Sequence, residues 1–89
     1  MKSHVTSAFR SQFKKLPPHI KSQAIRNYLL WKTNPRHPSL HFKQVSKNSD
    51  SWSVRIGIAY RALGVQKEGV IIWFWIGSHA AYDSLLKNL

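Results

Sequence analysis

Arg55, Arg61 and His79 are the residues of this chain best placed to do chemistry. Both arginines stand inside apolar, strand-like sequence, Ser53-Val54-Arg55-Ile56-Gly57 and Tyr60-Arg61-Ala62-Leu63. The histidine follows a wholly apolar run, Val70-Ile71-Ile72-Trp73-Phe74-Trp75-Ile76, at a Gly77-Ser78 break. A guanidinium group presents a planar fork of N–H donors that suits phosphate and stays charged at any working pH. An imidazole can take the proton of a ribose 2′-OH or return one to a leaving 5′-oxygen. These are the groups needed to hold and cleave a phosphodiester. The plainer alternatives are arginines that solvate an exposed sheet face and a histidine that only starts a helix.

The neighbours strengthen the chemical reading. Tyr82 lies three residues beyond His79, on the same helix face, and can bond phosphate or stack on a base. Asp83 can orient the imidazole or serve as a first-turn helix acid. Backbone N–H groups at the start of that helix can hold an anion, and its positive end favours a neutral ring. Lys43, on the exposed face of a preceding strand, and Lys47, in the loop after it, are further candidate RNA contacts. Tyr60 and Trp52 are candidate stacking groups, although the tryptophans as a set suit core packing. His37 and His41 suggest a metal pair, but Pro38 intervenes and no nearby Asp, Glu or Cys completes a site. Neither a metal nor another cofactor is expected. No Walker loop, dinucleotide fingerprint or Ser-His-Asp arrangement is present.

A length of 89 residues suits one domain, 1–89, with a single modest core. Fourteen Lys and Arg face only Asp50, Glu68 and Asp83, a formal net charge of +11. With 43% apolar residues the charge does not signal disorder. It calls for a polyanionic partner, nucleic acid first and an acidic protein second. A membrane surface fits less well, because no basic amphipathic helix stands apart from the core. There is no cysteine, hence no disulfide and no thiolate chemistry. The N-terminus lacks an apolar signal-peptide core, and the run 70–76 falls far short of the ~20 residues a span needs. The chain reads as cytoplasmic.

Val5, Phe9, Phe13 and Leu16 recur at helical spacing, with Thr6 or Ser7 as cap and Pro17 as stop. Pro18 opens a second helix whose apolar stripe is Ile20, Ala24, Tyr28 and Trp31, widened by Ile25 and Leu29. Asn34-Pro35 and His37-Pro38 close it. Residues 40–45 read as a strand with Leu40 and Phe42 on one face and His41 and Lys43 on the other. Residues 46–51 are a turn, 52–63 are extended with a turn or bulge at Gly57, and 64–69 turn again. If the chain turns at Gly57, Arg55 and Arg61 sit on neighbouring antiparallel strands; if not, they share a face by parity. Residues 70–76 lack polar alternation and read as a central strand. A last helix starts at His79, capped by Ser78. The expected fold is α+β: an N-terminal helical hairpin on a twisted antiparallel sheet of three to four strands, with a short C-terminal helix.

Four segments, in order, resemble the RelE/ParE superfamily of bacterial toxins. They are residues 9–17 (Phe9-Arg10-Ser11-Gln12-Phe13-Lys14-Lys15-Leu16-Pro17), residues 34–43, the two arginine strands, and Trp73-Phe74-Trp75-Ile76-Gly77-Ser78-His79 with Tyr82-Asp83. The resemblance implies a toxin of a toxin–antitoxin system, made beside an acidic antitoxin. RelE-like members cut messenger RNA, usually on the ribosome and without a metal, using basic sheet residues and a C-terminal His or Tyr. By position, Arg55 and Arg61 match the arginines flanking the family's Gly-x-Tyr-Arg-like turn, and His79 matches its C-terminal histidine. The chain carries one extra residue between Gly57 and Tyr60-Arg61. ParE-like members poison DNA gyrase instead, which is the alternative function; a catalytically inactive, basic RNA-binding relative is another.

Overall fold

A computed structural model describes residues 2–88. They form strand β1 (Lys2–Val5), helices α1 (Ser7–Lys14) and α2 (Pro18–Thr33), a 3-10 turn (Pro38–Leu40), strands β2 (Lys43–Ser46), β3 (Ser51–Ile56), β4 (Tyr60–Lys67) and β5 (Val70–Ser78), and helix α3 (His79–Leu86). The strands make one sheet in the order β1-β5-β4-β3-β2. The successive pairs β2–β3, β3–β4 and β4–β5 are antiparallel, as short turns require, while β1 runs parallel to β5. The fold is α+β as expected, but the sheet is mixed and has five strands.

The extra strand comes from the N-terminal residues, of which the sequence reading assigned only Val5, and that one to the first helix. Lys2–Val5 alternate between exposed and half-buried and pair with residues 70–73 of β5. Thr6 then ends the strand and caps α1, its Oγ1 accepting from the Phe9 N–H at 3.1 Å. Phe9 and Phe13 pack on the core from α1, and Pro17 separates it from α2, where Pro18 occupies the opening turn. Ile20, Ala24 and Trp31 form the buried stripe of α2. The expected widening fails: Ile25 and Leu29 point outward, 51% and 58% exposed.

The core lies between this hairpin and one face of the sheet. Trp31, 1% exposed, meets Trp73 of β5 edge-on at 5.2 Å between ring centroids and Phe42 at 5.7 Å. Val54, Ala62 and Ile76 lie side by side across β3, β4 and β5 on that same face. By the two-residue period of a strand, Ser53, Arg55, Arg61 and Gly77 therefore face the other way. The expected strand over 40–45 is shorter than read. Leu40 is fully buried at the end of the 3-10 turn, and His41 adopts a left-handed backbone (φ 45°, ψ 42°) before β2 begins. His37 caps that turn through Nδ1, which accepts from the Ser39 N–H.

Candidate phosphate-binding site

Among the described residues, one concavity lies on each side of the sheet's functional strands, and these two differ sharply in lining. The larger, about 550 Å³, lies among Phe9, Phe13, Ala24, Ile25, Tyr28 and Trp31 and carries no histidine or carboxylate. The smaller, about 230 Å³, gathers His41, Lys43, Ser53, Arg55, Arg61, His79, Tyr82 and Asp83. The second is where ionisable side chains of both signs converge.

Its floor is set by strand register. The chain turns at Gly57, so Arg55 of β3 and Arg61 of β4 stand directly opposite each other across an antiparallel pair. Gly57 takes φ +62°, in the left-handed region that favours glycine. Like charges placed opposite one another destabilise a sheet. Both guanidinium groups are braced by the turn they flank. Arg55 Nε donates to Gly57 O at 3.0 Å. Arg61 Nη1 donates to the carbonyls of Gly57, Ile58 and Tyr60 at 3.2, 3.2 and 2.7 Å. Arg61 Nε and Nη2 and Arg55 Nη2 keep their donors for something else, with no acceptor among the described residues. Burial, and then the neighbouring charge of Arg55, hold the Arg61 guanidinium below its ordinary pKa, with Tyr82 and Asp83 acting in the opposite direction. A cation so disfavoured is relieved by an anion in the pocket.

The wall on one side is α3. Ser78 caps it, Oγ accepting from the Ala81 N–H at 3.2 Å. The His79 N–H is not open for an anion, as helix position alone implied, because it donates to Ala59 O at 2.7 Å. That bond ties α3 to the Gly57 turn. His79 Nδ1 lies 3.2 Å from Asp83 Oδ2, so the carboxylate orients the ring, and the imidazole is half-exposed. Tyr82 lies beside it with ring centroids 5.9 Å apart. It is only 5% exposed, and its hydroxyl donates to Ser53 Oγ at 3.0 Å. Tyr82 thus fixes α3 to the sheet and shapes the pocket.

Lys43, paired with Ser53 across β2 and β3, lines the same pocket. Lys47 does not; it is exposed in the turn 47–50. Nor does Tyr60, which packs against the hairpin-side core, or Trp52, which stacks on Phe42 and donates to Asp50 Oδ1. His41 does, its Nε2 3.4 Å from Arg55 Nη1. The sequence placed His41 on the face of Lys43 but weighed it only as a metal ligand beside His37. Among the described residues, no cluster of three or more His, Asp or Glu is arranged to hold a metal ion.

Comparison with known proteins agrees with this architecture. The family model of the ParE-like toxin domain matches residues 18–84, which include every residue named here in the smaller pocket. No curated protein sequence matches the chain. Among solved structures, the RelB–RelE antitoxin–toxin complex of Methanococcus jannaschii superposes with a TM-score of 0.73 at 14% identity, over 92% of this chain and 96% of that one. YafQ from Escherichia coli strain BL21(DE3) gives 0.68 at 14% identity, over 91% and 96%. The isolated RelE toxin of E. coli gives 0.66 at 12% identity, over 99% and 98%. With a family model covering most of its length and the fold of the RelE toxins throughout, the chain belongs to the ParE-like toxin domains of the RelE/ParE superfamily.

Proposed function

We propose that this toxin is an endoribonuclease that cleaves messenger RNA, on the ribosome, and is held inactive by an acidic antitoxin. The observation that carries the reading is the pair Arg55 and Arg61, set opposite each other with uncompensated donors in a pocket that also holds His79. Attack of a 2′-OH on the adjacent phosphorus gathers negative charge on the phosphoryl oxygens. Two fixed guanidinium groups meet that charge without reorganisation, in the way an oxyanion hole does. The P–O5′ bond breaks, leaving a 2′,3′-cyclic phosphate and a 5′-hydroxyl. His79 Nε2 exchanges the proton, because Nδ1 is engaged by Asp83. Tyr82 and Ser53 hold the wall against which the substrate rests. Charge stabilisation comes from guanidinium groups, so the reaction proceeds in EDTA.

The antitoxin follows from charge and from the relatives. A +11 surface attracts and is covered by an acidic protein. The M. jannaschii and Pyrococcus horikoshii proteins of this fold are complexes of RelE with RelB. Co-expression with an acidic partner encoded alongside should relieve toxicity that the chain causes alone.

The test compares induced cells by primer extension on messenger RNA with a gyrase supercoiling assay. Cleaved messages, reproduced in EDTA-treated reconstituted translation, support the nuclease. Intact messages beside stabilised gyrase–DNA breaks assign the chain to gyrase inhibition. If RNA binds but neither occurs, the pocket is a binding site only.

A further inference from the structure

We propose that Ile58 sets the base preference of this nuclease, as an apolar platform for the nucleobase on the turn side of the scissile phosphate, with purines favoured over pyrimidines. The inference rests on the nuclease reading and adds a specificity-determining residue to it. Its first support is what the pocket lacks. Arg55, Arg61, Lys43, Ser53 and the imidazoles are groups for a phosphate and its oxygens, not for the face of a base. The rings that would stack on one are withdrawn: Tyr82 is 5% exposed, and Tyr60 and Trp52 pack on the core. Leu86 is half-buried at the far end of α3. Ile58, in the turn between β3 and β4, is 82% exposed, the most exposed large apolar side chain among the described residues.

The backbone gives the second support. Every carbonyl from Gly57 to Tyr60 accepts a hydrogen bond from a pocket residue. Gly57 O takes Arg55 Nε and Arg61 Nη1, Ile58 O and Tyr60 O take Arg61 Nη1, and Ala59 O takes the His79 N–H. The guanidinium that holds the phosphate therefore also holds Ile58, its Nη1 lying 3.2 Å from that residue's carbonyl oxygen. A nucleotide adjoining a phosphate on Arg61 passes this tip. Turns ordinarily carry Gly, Asn, Asp or Ser there, which suit sharp backbone and water. This tip is Ile58-Ala59, both exposed, and the fold gains no burial from either. A β-branched side chain on a braced turn has little rotamer freedom left to lose on contact.

The chemistry of the side chain fixes what it reads. Isoleucine has no hydrogen-bonding atom, so it cannot distinguish the edges of bases. It covers a face, and the gain grows with the apolar area removed from water. Bases of single-stranded RNA are splayed from the backbone and recognised on their faces in this way. A purine offers two fused rings and a pyrimidine one, so the preference is for purines, with adenine and guanine treated alike. The base on the other side of the phosphate lies away from the turn and receives no such contact. The preference therefore belongs to one flanking position only.

The experiment maps cut sites at single-nucleotide resolution, by primer extension on a set of messages in reconstituted translation, for wild type, Ile58→Ser, Ile58→Trp and Ile25→Ser. Wild type should enrich purines at one of the two positions flanking the cut. Ile58→Ser should cut purine sites about tenfold more slowly, so that the enrichment disappears while the Tm stays at the wild-type value. Ile58→Trp, with a larger apolar face, should keep the enrichment or strengthen it. Ile25→Ser removes an exposed isoleucine from α2, outside the phosphate pocket, and should leave the cut-site profile as in wild type. A merely structural role for Ile58 would lower the Tm and slow every site alike, and that result overturns the inference. So does an active wild type without purine enrichment, or one whose enrichment survives in Ile58→Ser. A wild type that cleaves no message overturns the nuclease reading and this inference with it.

Discussion

Two arginines facing each other across a ladder cost folding energy unless an anion sits between them, and here only Asp83 among the three acids lines the pocket. Anion binding should therefore show as stability, independently of any catalysis. Inorganic phosphate at about ten times its Kd adds roughly 1.4 kcal/mol, worth about 6–11 °C in Tm for a domain of this size. Arg55→Ala should abolish the phosphate-dependent rise in a thermal melt, and so should Arg61→Ala. If both variants respond to phosphate as wild type does, the pocket is not the anion site. For catalysis, each fixed donor is typically worth about 3 kcal/mol, so Arg61→Ala should slow cleavage by roughly a hundredfold or more. Tyr82 belongs on the other side of this division. Its hydroxyl is spent on Ser53, so Tyr82→Phe should cost about 1 kcal/mol in urea unfolding and leave the cleavage rate within severalfold.

At the scale of elements, the site depends on a sheet whose register is fixed by backbone that side chains cannot invade. Between Leu63 and Gly64 the pairing of β4 with β5 shifts, so that Trp73 and Ile71 close over the glycine. A Cβ on Gly64 would lie 2.7 Å from Ile71 Cγ2 and 2.8 Å from Trp73 Cε3. Gly64→Ala should destabilise by about 1–3 kcal/mol, read as a lower urea midpoint at unchanged m-value. The same geometry explains what was legible beforehand. Gly57 and the apolar run after residue 69 announced a turn and a central strand, and both are found. The register of Arg61 was not announced, because one extra residue in a turn can flip a face; the observed pairing with Arg55 settles it. β1 escaped notice because four mostly polar residues carry no period of their own. A central β5 nevertheless demands a neighbour on each edge, and β4 supplies only one. His41 was read onto the face of Lys43, where it lies, but escaped notice as a pocket group because its spacing to His37 drew only a metal reading. Lys47, expected as an RNA contact, and Tyr60, expected as a stacking group, stand outside the pocket, the one in a turn and the other packed on the core.

Over the whole molecule, the formal charge of +11 acts on affinity more than on fold. No helix among the described residues is long and apolar enough to cross a membrane, and none of the sequence's excess charge is matched by a comparable number of acids. If the proposed RNA substrate binds this surface, counterion release should make log K fall by about 0.7 per log unit of salt for each phosphate contacted. Arg55→Ala should lower that slope by about 0.7 if the pocket takes one phosphate, and should weaken binding alike across RNA sequences. Lys47→Ala measures whether the strand continues past the pocket towards the turn 47–50: a second drop of about 0.7 places it there, and an unchanged slope directs it elsewhere. The pair separates a local site from diffuse attraction. If the slope stays as steep in Arg55→Ala as in wild type while cleavage is lost, the pocket supplies catalysis and the rest of the basic surface supplies the grip. If slope and cleavage fall together, the pocketed phosphate is itself part of the grip.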